Sequence, residues 1–174
     1  MKSSLLDSIV SILREHTPNT PIEELWKDKF LQHAHIDMLS KQNTHPGHFT
    51  ASGFVRNRNT QQVVLIFHPK FHKWIQPGGH LEVFDEHIVE AAKREIMEET
   101  GLVELEWDGT MRLDIHDVAA SSSVGAHQHW DLQLGFGTEQ TNTSGTLAAQ
   151  WFFPHELNPS MTDDSVMRFV EGWL

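Results

Sequence analysis

The sequence contains no cysteine and no tyrosine. The absence of cysteine excludes disulfide bonds, cysteine nucleophiles, thiolate zinc sites and iron–sulfur clusters, and it is typical of proteins in a reducing compartment. We therefore expect a cytoplasmic protein. Its chemistry has to come from carboxylates and imidazoles, and both are plentiful, with 24 Asp and Glu residues and 13 His residues among 174.

Basic residues are also scarce. The 13 Lys and Arg residues are outnumbered by the acidic ones, and the formal net charge is −11 with His neutral. This charge disfavours binding to long nucleic acids or to an anionic membrane surface, since both need clustered Lys and Arg. No apolar run approaches the ~18 residues that a membrane span needs. A small polyanionic ligand held through metal ions is compatible with this composition.

Residues 1–45 are predicted to form a short helical N-terminal extension. In 1–16, apolar residues recur at helical spacing, and polar interruptions favour an amphipathic helix packed on the domain over a signal peptide. The prolines of 17–21 break the chain, and a second helix is expected over 22–39. The remainder, 46–174, is expected to be one domain. We expect the two helices either to make a homodimer contact or to cover a ligand pocket.

Strand-like and helix-like segments alternate in the rest of the chain. The segments predicted as strands are 49–57, 62–68, 111–119, 129–137 and 147–153. One long helix is expected to start at Asp85 or Glu86 and to end at Thr100, because Gly101 stands where a left-handed C-terminal cap is needed. A short helix is expected over 163–172. This alternation predicts a layered α/β architecture.

The long helix carries three glutamates on one face. Glu95, Glu98 and Glu99 are related as i, i+3 and i+4, so their side chains fall within an arc of about 100°. Three converging carboxylates repel one another unless a cation lies among them, and their hard oxygen atoms suit Mg²⁺ or Mn²⁺. Glu-rich helix faces are more often solvated surface. Both interpretations stay open on the helix alone.

Residues around this cluster favour the metal site. Arg94 is placed four residues from both Glu98 and Glu90 and is expected to pair with one of them. The diglycine Gly78-Gly79, which precedes the helix, permits a close approach of the backbone. It could offer a carbonyl to a metal or amides to a phosphate.

The stretch from Gly79 to Leu102 resembles the Nudix hydrolase signature. That signature runs Gly, five residues, Glu, seven residues, Arg-Glu, an aliphatic residue, any residue, Glu-Glu, any residue, Gly and an aliphatic residue. The matching positions are Gly79, Arg94, Glu95, Ile96, Glu98, Glu99, Gly101 and Leu102. The interval from Gly79 to Arg94 is one residue longer than in the family, so either Asp85 or Glu86 takes the position of the first Glu.

The resemblance implies a fold, a reaction and a cofactor. The fold would be a Nudix-type α/β/α sandwich with a mixed β-sheet. The reaction would be hydrolysis of a diphosphate linkage in a nucleoside diphosphate linked to another moiety, with Mg²⁺ or Mn²⁺ as cofactor and a small nucleotide or other diphosphate as substrate. The alternative is a non-catalytic nucleotide-binding or regulatory module on the same fold, whose usual mark would be lost carboxylates. Isopentenyl-diphosphate isomerase resembles this fold but uses a catalytic Cys, which this sequence lacks.

The resemblance also implies residue roles. The implied metal ligands are Glu95, Glu98, Glu99 and a backbone carbonyl of Gly79 or Gly78. Glu95 or Glu98 is the candidate acceptor of the attacking water's proton, and Arg94 is expected to orient the carboxylates. Glu82, beside the diglycine, is a candidate partner for Arg94 or for a substrate-bound metal.

Several histidines are candidate substrate contacts. His127 and His129, at i and i+2, are expected to point to the same side at the start of a strand, and His116 lies on another predicted strand. Such a pair can bind metal, but only two of the usual three or more ligands are visible, so a surface or structural role is the more common one. His80 follows the diglycine and is either close to a phosphate or a partly exposed strand residue.

Three aromatic residues are candidates for stacking on a base, namely Phe71, Trp74 and Trp130. Aromatic residues beside strands belong first of all to core or rim packing. We therefore expect two of the three to be core residues. The sequence does not name the substrate, because selectivity lies in loops outside the signature.

Overall fold

The computed structural model describes residues 2–121 and 124–173. The predicted start of the N-terminal extension, Met1, and the predicted end of the second domain, Leu174, lie outside the described residues, as do Ser122 and Ser123. The helices in this part of the chain are α1 (Lys2–Glu15), α2 (Pro21–Gln32), α3 (Ile88–Thr100) and α4 (Asp164–Trp173), with 3₁₀ turns at Ile36–Leu39 and Pro154–Glu156. The strands are β1 (Gly47–Asn57), β2 (Val63–His68), β3 (Lys73–Ile75), β4 (Gly78–His80), β5 (Glu106–Val118), β6 (His127–Thr138) and β7 (Ala149–Phe152). None of the described helices is both long enough and apolar enough to cross a membrane.

The strands form one mixed sheet in the order β3-β2-β1-β6-β5, while β4 pairs with β1 and β7 pairs with β2. Strand β2 is antiparallel to β1, β3 and β7, with Val64 opposite Val55 of β1 and opposite Trp151 of β7. The predicted α/β fold with a mixed sheet is confirmed.

The chain divides into two compact units, which each combine three segments. The first unit consists of Met1–Ala51, Gly79–Ala91 and Met111–Gln133, and the second consists of Ser52–Gly78, Ala92–Thr110 and Leu134–Leu174. The predicted division into 1–45 and 46–174 stays a prediction.

In the first unit, the N-terminal helices pack through apolar side chains spaced by one helical turn. The buried residues of α1 are Leu5, Ile9 and Leu13. Phe30 of α2 stacks on Phe49 of β1 with 5.3 Å between ring centroids, and Trp130 of β6 lies 5.3 Å from Phe30. Full burial of a large apolar side chain stabilises a fold by roughly 1.5–3 kcal/mol, so these contacts hold both helices in the unit.

A buried glutamate fixes the start of α2. Glu23 accepts hydrogen bonds from His16 Nε2 at 2.9 Å, from the backbone N–H of Asn19 at 2.8 Å and from the N–H of Leu113 in β5 at 3.0 Å. Burial alone would raise the pKa of Glu23, but these hydrogen bonds outweigh it and hold the pKa below its ordinary value.

In the second unit, the core lies among β1, β2, β7 and α4. Phe54 of β1 stacks on Phe169 of α4 with ring centroids 3.7 Å apart. Trp74 of β3 packs against Phe152 of β7 at 5.1 Å, and its carbonyl accepts a 2.6 Å hydrogen bond from the Thr162 hydroxyl. The edge strands of this unit are thus held by aromatic packing.

Several predicted boundaries are wrong. Helix α3 starts at Ile88, later than Asp85 or Glu86, because the residues before it form a turn in which Asp85 accepts a 2.8 Å hydrogen bond from the N–H of Glu82. The second helix ends at Gln32, and Ile36–Leu39 forms a separate 3₁₀ turn. Strands β3 and β4 escaped prediction because three residues are too few to show alternation.

Candidate active site

The three predicted glutamates of helix α3 differ in their exposure to solvent. Glu95 is 9% exposed, Glu99 is half-buried, and the side chain of Glu98 is 49% exposed. The neighbouring face of the helix is held by Ile96, which packs so closely on Gly53 of β1 that a Cβ at Gly53 would overlap it. The helix therefore has a fixed rotation, and that rotation sets which carboxylate faces solvent.

The diglycine contacts the last of these carboxylates. The backbone N–H of Gly78 donates a 2.9 Å hydrogen bond to Oε2 of Glu99. The pKa of Glu99 is raised to about 7, chiefly by burial and also by the nearby charges of Glu95 and Glu98, against the opposing effect of the Gly78 hydrogen bond. Negative charge is thus crowded at this end of the helix.

Arg94 binds two of the three carboxylates. Its Nη1 lies 2.7 Å from Oε1 of Glu95 and 3.5 Å from Oε1 of Glu98. The expected i, i+4 pair with Glu98 is present, whereas the shorter contact, to the next residue in sequence, was not expected. Since the Arg94 side chain is only 13% exposed, it restrains both carboxylates from a shielded position.

The end of α3 is covered by a loop that no sequence pattern had singled out. Gly101 has φ +78°, which confirms the predicted left-handed cap. The N–H groups of Ser144, Thr146 and Leu147 then donate to the carbonyls of Thr100, Glu98 and Glu99 at 2.9, 2.9 and 3.3 Å. These bonds satisfy carbonyls that a helix leaves without partners at its end, and they fix the backbone that carries the carboxylates.

A turn lies between Gly79 and the start of α3 at Ile88. Asp85 is buried there, and it both donates its N–H to the carbonyl of Glu82 and accepts the N–H of Glu82. Glu86 is exposed. Glu82 itself pairs with Lys41, with 3.3 Å between Oε1 and Nζ.

A second cluster, made of histidines, lies within the first unit. His48 of β1, His80 of β4 and His129 of β6 each place one ring nitrogen within 4.8 Å of the other two. The ring of His129 is 4.9 Å from that of His48 and 5.3 Å from that of His80. His127 and His116 flank this group, at 5.0 Å from His48 and 5.4 Å from His129.

The cluster holds its imidazoles in the neutral form. The pKa of His80 is lowered to about 4 and that of His129 to about 3, chiefly by burial and also by the neighbouring histidines. His48 is 1% exposed, and burial also lowers its pKa. His127 and His129 do point to the same side of β6, with 5.3 Å between their rings, but His129 is half-buried among other rings rather than decorating a surface.

A family model described as NUDIX domain matches residues 46–170. The chain belongs to the Nudix hydrolase family. The chain is accordingly an enzyme of the Nudix hydrolase type, and hydrolases of this family generally use divalent metal ions.

Solved structures agree with this fold. The E. coli dihydroneopterin triphosphate pyrophosphohydrolase is 16% identical, with a TM-score of 0.54 over 76% of this chain and 97% of that chain. The MutT protein from Methanosarcina mazei Go1 is 19% identical, with a TM-score of 0.50 over 71% of this chain and 90% of that one. No curated protein sequence matches the chain.

The remaining predicted residues of this Nudix hydrolase are distributed over both units. Trp130 is buried and Trp74 is half-buried, so two of the three aromatic candidates pack inside the protein, as expected, whereas Phe71 is 54% exposed. Gly79 lies in β4, directly before His80. The Gly78 amide, considered as a phosphate contact, is engaged with Glu99 instead.

Sequence reasoning missed His48 as a functional candidate. It has no other histidine at i±2, the spacing that made His127 and His129 candidates. His48 stands just before the predicted strand 49–57 and His129 at the start of 129–137, whereas His80 lies at the end of β4, which was not predicted. Only the sheet order, with β1 beside β6 and paired with β4, shows that these ends meet.

Proposed function

We propose that this Nudix hydrolase cleaves a diphosphate linkage in a nucleoside diphosphate linked to another moiety, with Mg²⁺ or Mn²⁺ as cofactor. The observation that supports this most is the convergence of Glu95, Glu98 and Glu99 on one face of α3. Burial, together with repulsion from Glu95 and Glu98, raises the pKa of Glu99 to about 7. A divalent cation among the carboxylates would relieve that repulsion.

The donor set fits a hard cation. All three side chains offer carboxylate oxygens, which Mg²⁺ and Mn²⁺ prefer. Glu98 is open to solvent and therefore to an arriving hydrated ion, while Glu95 and Glu99 are held by Arg94 and by the Gly78 amide. We propose these three residues as ligands, and the additional backbone carbonyl of Gly79 or Gly78 stays a prediction from the family resemblance.

When bound, the ion would neutralise the charge of the diphosphate and make a water molecule more acidic. Arg94 keeps the carboxylates in one geometry and is a positioning residue. Glu95 and Glu98 are the candidates for accepting the proton of the attacking water. Glu98 is favoured, because its carboxylate is the more exposed and its contact with Arg94 is the longer one.

Substrate contacts belong to the same proposal. The candidates are Gly78, His80, Glu82, Trp74, His127 and His129. Trp74 is half-buried and packs against Phe152. We propose a small nucleotide or nucleotide derivative as substrate, since the acidic chain disfavours long nucleic acids.

A substrate panel tests this function. The full chain is incubated with Mg²⁺ or Mn²⁺ and with nucleoside triphosphates, dinucleoside polyphosphates, ADP-ribose, nucleotide sugars or NADH, and the products are separated. We expect two phosphate-containing products from at least one substrate, and no products after addition of a chelator. Saturable binding of these compounds without turnover would instead support the non-catalytic module.

A further inference from the structure

We propose that His48, His80 and His129 together bind one first-row transition-metal dication of the Zn²⁺ class. This site goes beyond the proposed hydrolysis, which uses the carboxylates of α3. It reassigns His80 and His129, two of the candidate substrate contacts, to a metal and adds His48 to them.

The first support is geometric. Three strands each contribute one ring nitrogen, and these nitrogens lie within 4.8 Å of one another. Zinc–nitrogen bonds are about 2.0–2.1 Å long, so small rotations of the rings would close the three nitrogens on one ion. Because the rings project from paired strands, the backbone that carries them is already in place.

The second support is an orphaned nitrogen. His48 Nδ1 is 2.9 Å from the carbonyl of Asn43. A carbonyl only accepts, so Nδ1 carries the hydrogen and Nε2 of the neutral ring carries a lone pair. That Nε2 is buried and has no hydrogen-bond partner in the described part of the chain. A buried acceptor without a partner costs free energy, and a metal ion would supply the missing bond.

The bond to Asn43 is itself what a metal ligand needs. Metal-binding histidines usually donate their other ring N–H to a carbonyl or carboxylate, which fixes the tautomer and the ring orientation. His48 is oriented in this way. His116, beside His129, is held in the same manner by Asp114, with 2.8 Å between Nδ1 and Oδ2.

The chemistry of the donors sets the class of ion. The group contains only imidazoles in the described part of the chain, with no carboxylate as a member. Imidazole nitrogen suits Zn²⁺, Co²⁺ and Ni²⁺, whereas Mg²⁺ prefers oxygen. Three protein ligands leave one position of a tetrahedral ion open, as in zinc sites that do chemistry.

Cobalt spectroscopy tests the site. The untagged full chain is freed of metal with a chelator, supplied with excess Mg²⁺ to occupy oxygen sites, and titrated with Co²⁺ while visible absorption is recorded. We expect ligand-field bands that saturate at one Co²⁺ per chain and that disappear when Zn²⁺ is added. Absence of these bands in the wild-type protein would overturn the proposal.

Variants locate the bound ion. His80→Gln and His129→Gln are each expected to weaken Co²⁺ binding at least about 10²-fold, because each removes one of three ligands. The control is His155→Gln, an exposed histidine outside the cluster, with unchanged binding. Thermal unfolding without metal verifies that the variants fold. Unchanged Co²⁺ affinity in both cluster variants would also contradict the proposal.

The two proposed metal sites can be tested independently of each other. Glu99→Gln should lose turnover but keep the cobalt bands. A wild-type protein that binds one Co²⁺ but hydrolyses nothing would contradict the proposed function alone, whereas one that hydrolyses substrate with Mg²⁺ but shows no bands would contradict the histidine site alone.

Discussion

Gly78 and Glu99, 21 residues apart in sequence, are joined by a 2.9 Å hydrogen bond from the backbone N–H to Oε2. This bond ties the diglycine to the last turn of α3, where the three carboxylates meet. It lowers the pKa of Glu99, but burial and the neighbouring charges outweigh it. The carboxylate is thus positioned by the backbone and still lies beside two further carboxylates, which share one arginine, Arg94.

Glu98→Gln and Glu99→Gln should each reduce turnover at least about 10²-fold and weaken the dependence on Mg²⁺, because each removes one charged ligand at constant size. Rates measured over a Mg²⁺ titration check this, with thermal unfolding to show that the helix is intact. The matched control is Glu104→Gln, which neutralises an exposed carboxylate outside α3 and should keep wild-type rates. If either helix variant kept wild-type turnover at ordinary Mg²⁺ concentration, the assignment of that glutamate as a metal ligand would be contradicted.

Arg94→Lys should lower turnover with little change in KM. Lysine keeps the positive charge but loses the planar fork that reaches Glu95 and Glu98 together. Steady-state kinetics on the substrate found in the panel separate the two parameters. A large rise in KM with unchanged turnover would show that Arg94 holds the substrate instead.

Gly145→Ala should destabilise the protein by about 1–3 kcal/mol and lower turnover, as expected for an overpacked site. A Cβ at Gly145 would overlap the carbonyl of Glu99 and displace the loop that caps α3. Denaturant unfolding and activity are measured beside Gly125→Ala, whose Cβ would meet no atom within 4 Å. Equal stability of the two variants would contradict the role given to this loop.

Glu23→Gln should lower the free energy of unfolding by about 1–3 kcal/mol at pH 7, because a buried charged acceptor of three hydrogen bonds is replaced by a neutral one. The pKa of Glu23 is below its ordinary value of 4.5 in the folded protein. Its ionised form therefore stabilises the fold above about pH 4.5, and this contribution is lost as the pH falls through the lower folded pKa.

Denaturant unfolding at pH 7 and at several values below 4.5 checks this pH dependence. The difference in the free energy of unfolding between wild type and Glu23→Gln should decrease as the pH falls. Glu24→Gln, an exposed neighbour on the same helix, serves as the control. If the difference in the free energy of unfolding grew as the pH fell, the prediction would be contradicted.

The local features of α3 could be predicted from the sequence, because they depend on spacing within a single helix. The i, i+3 and i+4 glutamates, the Arg94–Glu98 pair and the cap at Gly101 are all set by 3.6-residue periodicity and by backbone preferences. The start of the helix was predicted wrongly, since Asp85 bonds within its own turn. Helix propensity takes no account of such side-chain hydrogen bonds.

The sequence by itself determined the family, the acidic face of one helix and the absence of thiol chemistry. The tertiary structure decided which distant groups meet. His48, His80 and His129 are separated by 32 and 49 residues, and only strand pairing brings their rings together. The loop at Gly145 also meets the end of α3 only in the folded chain, through backbone hydrogen bonds to the last helix carbonyls. The physical reason is that side-chain contacts across a sheet depend on strand order and register, and a one-residue slip would turn each ring to the other face.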